Sequence, residues 1–145
     1  MQNLATQLNN IIEYQLMRFN SISRTAFKVK PAPDKWSKQE ILGHLIDSAQ
    51  NNIQRFIRVQ HENEAPNNNY QQDNWVQNNH YQSRDVKELI SLWELLNKQI
   101  VHIWQNYPAD KLKKPCHFGK EIVPIQEVIA DYIRHTNHHL SKING

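Results

Sequence analysis

The sequence predicts an all-α chain, a four-helix bundle with a long crossover between helices two and three. Three observations carry that reading. Four segments repeat apolar residues at helical spacing. Glycine and proline are sparse, three and six among 145 residues. One Asn- and Gln-rich stretch is too long for a simple turn inside a compact domain. The length suits a single domain, residues 1–145. Roughly 70% of the unfolded surface can be buried at that size, so the core needs no structural metal. Any bound metal is then expected to be functional.

The first helix is expected over 4–23, with Leu4, Leu8, Ile11, Ile12, Phe19 and Ile22 in one stripe. Pro31 and Pro33 forbid helix beyond it. The second spans about 37–60 and opens at "WSKQEI". Ser37 can cap it, Glu40 completes a capping box, and Trp36 and Ile41 are placed for a hydrophobic staple. Its stripe is Ile41, Leu42, Leu45, Ala49, Ile53 and Phe56. Residues 61–82 follow without an apolar period, yet they hold Tyr70, Trp75 and Tyr81. Large rings in a long connection suggest a crossover pinned along the bundle. Helices two and three then need not be antiparallel neighbours.

The third helix is expected over 84–106, with Ser83 as its cap and a stripe from Val86 through Trp93 to Trp104. "PADKLKKPCHFGKEIV" reads as an ordered loop. The fourth helix, 124–143, places Pro124 in its first turn, where proline is favoured. Ile125, Val128, Ile129, Tyr132, Ile133, Leu140 and Ile143 form its apolar face.

A formal charge of +3 and scattered Lys and Arg give no dense basic face, which argues against a nucleic-acid partner. No apolar run approaches the ~20 residues that cross a bilayer, so no membrane partner is expected. The opening "MQNLATQLNN" lacks the basic and apolar regions of a secretion signal. The single Cys116 cannot form an internal disulfide, and a cytoplasmic location is expected. No carboxylate motif surrounds Cys116, which reads as an ordinary loop cysteine.

The histidines carry the chemical signal. His135 and His139 lie four apart on the fourth helix, about 40° apart around its axis, and can reach one ion. His138 turns about 100° from His139 and is expected in solvent. Such pairs are also common as a polar helix end, so spacing alone leaves both readings open. A third ligand would have to come from elsewhere. His61, His80 and His117 fall in expected loops and His102 on helix three. His44 lies on helix two, roughly 60° from Ile41 and so at the edge of the apolar stripe. Edges of two helices can meet at a groove.

"KWSKQEILGHLIDSAQNNIQRFI", "YQQDNWVQNNHY" and "IADYIRHTNHHLSKI" together resemble, in order and spacing, the DinB/YfiT-like family. The resemblance implies a four-helix bundle with a divalent ion held by three histidines, which match His44, His135 and His139 here. His138 matches no ligand position. Glu40, Asp47 and Asp131 lie within about a turn of those histidines and are candidates to orient them. Three neutral ligands leave an open position, the layout of a catalytic site. That position can bind a thiol or lower the pKa of water. The family includes enzymes that use bacillithiol or mycothiol, so the resemblance implies S-transfer with a low-molecular-weight thiol cosubstrate and a small-molecule substrate. A hydrolase using metal-bound hydroxide, or a non-catalytic metal-binding bundle, are the alternatives. Zinc or nickel leads the choice of ion, with iron and manganese behind. A homodimer is expected by resemblance alone.

Overall fold

A computed structural model describes residues 1–145. Four long helices make the bundle: α1 (Gln2–Asn20), α3 (Lys38–His61), α5 (Val86–Gln105) and α6 (Ile125–Asn144). Two short helices, α2 (Arg24–Lys28) and α4 (Gln72–Asn78), lie in the connections. Strands β1 (Pro115–Phe118) and β2 (Glu121–Pro124) form an antiparallel hairpin.

Helix directions follow from contacts at the helix ends. Gln39 near the start of α3 donates to the carbonyl of Arg84, just before α5, at 2.7 Å. Near the other end, the Tyr107 hydroxyl donates to the Phe56 carbonyl at 2.9 Å. Helices α3 and α5 are therefore parallel neighbours. Gln2 bonds the carbonyl of Gln105, so α1 runs against α5. Lys38 bonds the carbonyl of Gly145, so α6 runs against α3. A parallel pair needs a connection that returns the full helix length, and this explains the crossover.

The crossover is held at each stage. Asn68 and Asn69 accept from Arg58 and Arg55 at 3.0 and 3.1 Å. Asn69 also exchanges two hydrogen bonds with Gly119 in the hairpin turn. Tyr70 meets Trp75 edge to face at 5.3 Å. Tyr81 is 4% exposed and lies against Gly43, where an added Cβ would overlap its ring. That close approach explains a glycine inside a buried helix, where alanine would otherwise stabilise.

The structure differs from the sequence reading in five places. Helix α1 stops at Asn20, not at residue 23. Ser21 bonds back to the Arg18 carbonyl, and Ser23 accepts from the Ala26 amide to start α2. The crossover contains helix α4, whose Val76 is buried at 2% exposure. Helix α5 is capped by Asp85 rather than Ser83, which bonds the His80 carbonyl in a 3₁₀ turn. The expected loop before α6 folds as the hairpin, turning at Gly119 with φ 63°. Pro124 ends β2 and precedes the helix instead of lying in its first turn.

Candidate metal centre

Helix α3 delivers His44 to the bundle interior. Its start is fixed by the capping box: the Ser37 hydroxyl accepts from the Glu40 amide at 3.1 Å, and Glu40 accepts from the Ser37 amide at 3.0 Å. Two turns later His44 is 1% exposed. The sequence reading placed it at a stripe edge. Instead, every residue from Ile41 to Ala49 is buried, because α5, α6 and the crossover surround this part of α3.

Helix α6 brings His135 and His139, both half-buried, against His44. The Nε2 atoms of His44 and His135 lie 3.2 Å apart. The ring centroids of His139 lie 4.6 Å from His44 and 4.5 Å from His135. One ring nitrogen from each of the three falls within 4.8 Å of the others. His138 is exposed, as are His61, His80 and His102, while His117 lies in β1.

The three rings resist protonation. Burial, reinforced by His139, His135 and Lys142, pushes His44 down to about 3. Burial, reinforced by His135, Lys142 and His138, pushes His139 down to about 4. His135 is also lowered by burial, with Asp131 opposing. All three therefore favour the neutral form near pH 7, in which one ring nitrogen can act as a ligand. The Nδ1 atoms of His44 and His139 are buried without a hydrogen-bond partner.

The candidate orienting carboxylates are committed elsewhere. Glu40 serves the capping box and pairs with Lys30 at 2.9 Å. Asp47 is fully buried and accepts from the Tyr81 hydroxyl at 2.5 Å and the Asn79 amide at 3.1 Å. Burial raises its pKa to about 6 against the opposing Tyr81 bond. Asp131 accepts from Arg134 at 3.0 Å.

Two cavities adjoin the cluster. One, of 330 Å³, touches His44 and His135. The other, of 550 Å³, touches His139 and is walled by Trp36, Asp73 and Lys142. Gln72 of the crossover reaches both. The Trp36 ring lies 5.1 Å from that of His44 and covers it. Sequence reasoning missed Ser48, Asn52 and Arg55, which line the first cavity. With His44 they form a polar series at intervals of four, four and three residues, a signal that was present in the sequence.

These features define a helical-bundle protein built around an imidazole cluster at the meeting point of two cavities. The family profile of the DinB superfamily matches residues 7–143, and the chain belongs to that superfamily. It is 24% identical over 111 residues to a presumed metal-dependent hydrolase of Halalkalibacterium halodurans. The match covers 76% of this chain and 64% of that protein, so the chain spans less than two thirds of the relative's length. The fold is similar to that of YfiT from Bacillus subtilis, described as a probable metal-dependent hydrolase with an unusual four-helix bundle topology. There the TM-score is 0.86 at 18% identity, covering 97% of this chain and 82% of the other. It is also similar to the mycothiol-dependent maleylpyruvate isomerase, with TM-score 0.79 at 13% identity over 98% of this chain and 58% of that one. No helix is long and apolar enough to cross a membrane.

Proposed function

We propose that this chain is a metal-dependent enzyme that holds a divalent ion with His44, His135 and His139 and acts on a small molecule in the adjoining cavities. The convergence of three neutral ring nitrogens from two helices carries the reading. The residues suit such an ion. Two nitrogens each ~2.1 Å from one ion stand roughly 3–3.5 Å apart, which matches the separation of His44 and His135. The Nδ1 atoms of His44 and His139 are buried without a partner, and the Nε2 atoms of His44 and His135 have only each other. A bound ion would supply a Lewis-acid centre with an open position. Zinc or nickel suits imidazole nitrogen well, with iron and manganese following.

Around that centre the chain's own residues set access. Trp36 closes one side of His44, and Gln72 faces both cavities. Two cavities meeting at one cluster suit a reaction with two substrates. This favours transfer of a low-molecular-weight thiol to an electrophile, in keeping with the mycothiol dependence named for the structurally similar isomerase. Hydrolysis is the second reading, favoured by the names of the Halalkalibacterium and Bacillus proteins.

Metal analysis of protein purified without nickel affinity tests the ion, with about one equivalent expected. His135→Ala should lose it. Helical circular dichroism should survive chelation, because the core is complete without the site. Electrophile consumption that requires both thiol and ion identifies the transferase, and thiol-independent turnover identifies the hydrolase. Metal binding with neither activity would reduce the chain to a metal-binding bundle. Light scattering tests the proposed homodimer.

A further inference from the structure

Arg55 is the least expected residue in the first cavity. It is 5% exposed and forms no ion pair with any carboxylate. A buried, uncompensated charge is costly and is normally paired. Two of its five N–H donors are used, one on Asn52 at 3.0 Å and one on Asn69 at 3.1 Å. Its Nε has no partner at all.

The neighbouring groups do not neutralise it. Burial lowers the Arg55 pKa, with Cys116 and Tyr70 acting against that shift. Yet burial pushes the Cys116 thiol up and raises Tyr70 to about 12, so both are uncharged near pH 7. The one acidic residue on the cavity wall, Asp131, is bonded to Arg134. The Phe118 ring, 5.5 Å from the guanidinium carbon, lies beside it without supplying a compensating charge.

We infer that the His44–Arg55 cavity takes a substrate bearing a carboxylate, whose oxygens are bound by the unspent donors of Arg55 while the reacting end lies at the histidine cluster. This deepens the proposed enzyme reading and rests on it for the meaning of the reacting end. A single guanidinium, with no lysine on the cavity wall, suits a monoanion better than a phosphate dianion. Placement on one helix sets the spacing. Eleven residues separate the two Cα atoms by roughly 16 Å, and the arginine leans back toward the helix start. The substrate should therefore place its carboxylate on the order of 10 Å from its reacting atom. The 330 Å³ cavity has room for such a molecule.

The test compares hexanoate with hexanamide, and benzoate with benzamide, by calorimetric titration in low-salt buffer. Metal content is measured on the same samples. Each carboxylate should bind about tenfold or more tightly than its amide in the wild type, and most of that preference should vanish in Arg55→Gln at equal metal content. Arg55→Lys should retain part of it, which keeps the test decisive should Arg55→Gln fold poorly. Absence of preference in the wild type, or an equal preference in wild type, Arg55→Gln and Arg55→Lys, overturns the assignment. Comparing variants at matched metal content removes carboxylate bound to the ion itself. Protein without metal but with an Arg55-dependent preference would sink the metal reading and leave the anion site standing. Normal metal content without the preference would do the reverse.

Discussion

The seam between α1 and α5 and the seam between α3 and α6 follow opposite rules. At the first, Phe19 meets Trp93 edge to face at 5.4 Å and Phe27 at 6.0 Å, and Leu8, Ile12, Leu89 and Ile100 are fully buried around them. Packing there is mainly apolar, although Arg18 of α1 and Trp104 of α5 each keep a buried nitrogen without a partner. On α3, His44, Asp47, Ser48, Asn52 and Arg55 are also buried, and His44, Arg55 and His139 beside the cavities, with Asp47 facing the crossover, each retain a polar atom without a partner. These are four of the seven such buried atoms in the molecule, and Gln39 of α3 adds a fifth, so most of the deficit lies on α3 and α6. A buried donor or acceptor without a partner costs about 1–3 kcal/mol. One seam is built for stability, while the other gives some up, as sites that receive ligands commonly do.

Acid should expose that difference most strongly. The three histidines have folded pKa values below their usual 6.5. Their contribution to stability is complete above 6.5 and is lost progressively as pH falls toward about 4 for His139 and about 3 for His44. Asp47 has the opposite sign, since its raised pKa favours folding below its usual 3.8 and loses that benefit as pH rises to about 6. Three groups outweigh one, so the melting temperature of chelated protein should fall as pH drops from 6.5 to 4. A flat or rising profile in circular dichroism melts would mean that the histidines are already solvated.

At the apolar seam, Trp93→Ala should cost about 3–5 kcal/mol in chemical denaturation, with metal content per folded protein unchanged. Gly43→Ala tests the boundary between the seams. Displacing Tyr81 should cost about 1–3 kcal/mol and weaken its bond to Asp47. His44→Leu should abolish metal binding yet leave metal-free stability within about 1 kcal/mol of wild type, or raise it, because an unpartnered nitrogen is removed. A loss comparable to that of Trp93→Ala would show that the polar seam is structural after all. The smallest effect belongs to His138→Ala, on the exposed face of α6. Stability should change by less than about 0.5 kcal/mol, and metal analysis should match wild type.

The amino-acid sequence by itself determined the helices, because apolar periodicity and the Ser37–Glu40 box are local signals whose partners lie within a few residues. It also determined that His135 and His139 share a face, since helical geometry alone sets that relation. The resemblance added His44 as their companion ligand. Smaller elements were less legible. The hairpin at Gly119 and helix α4 are short, and their stability comes from Asn69, Val76 and other contacts distant in sequence. Only the tertiary structure decided that α3 and α5 run parallel, that His44 is buried, and that the face from His44 to Arg55 lines a cavity. A helical wheel ranks residues by the polarity of their own side chains. Burial depends instead on which helices pack on each side, and here α6 and the crossover cover a polar face that the wheel assigns to water.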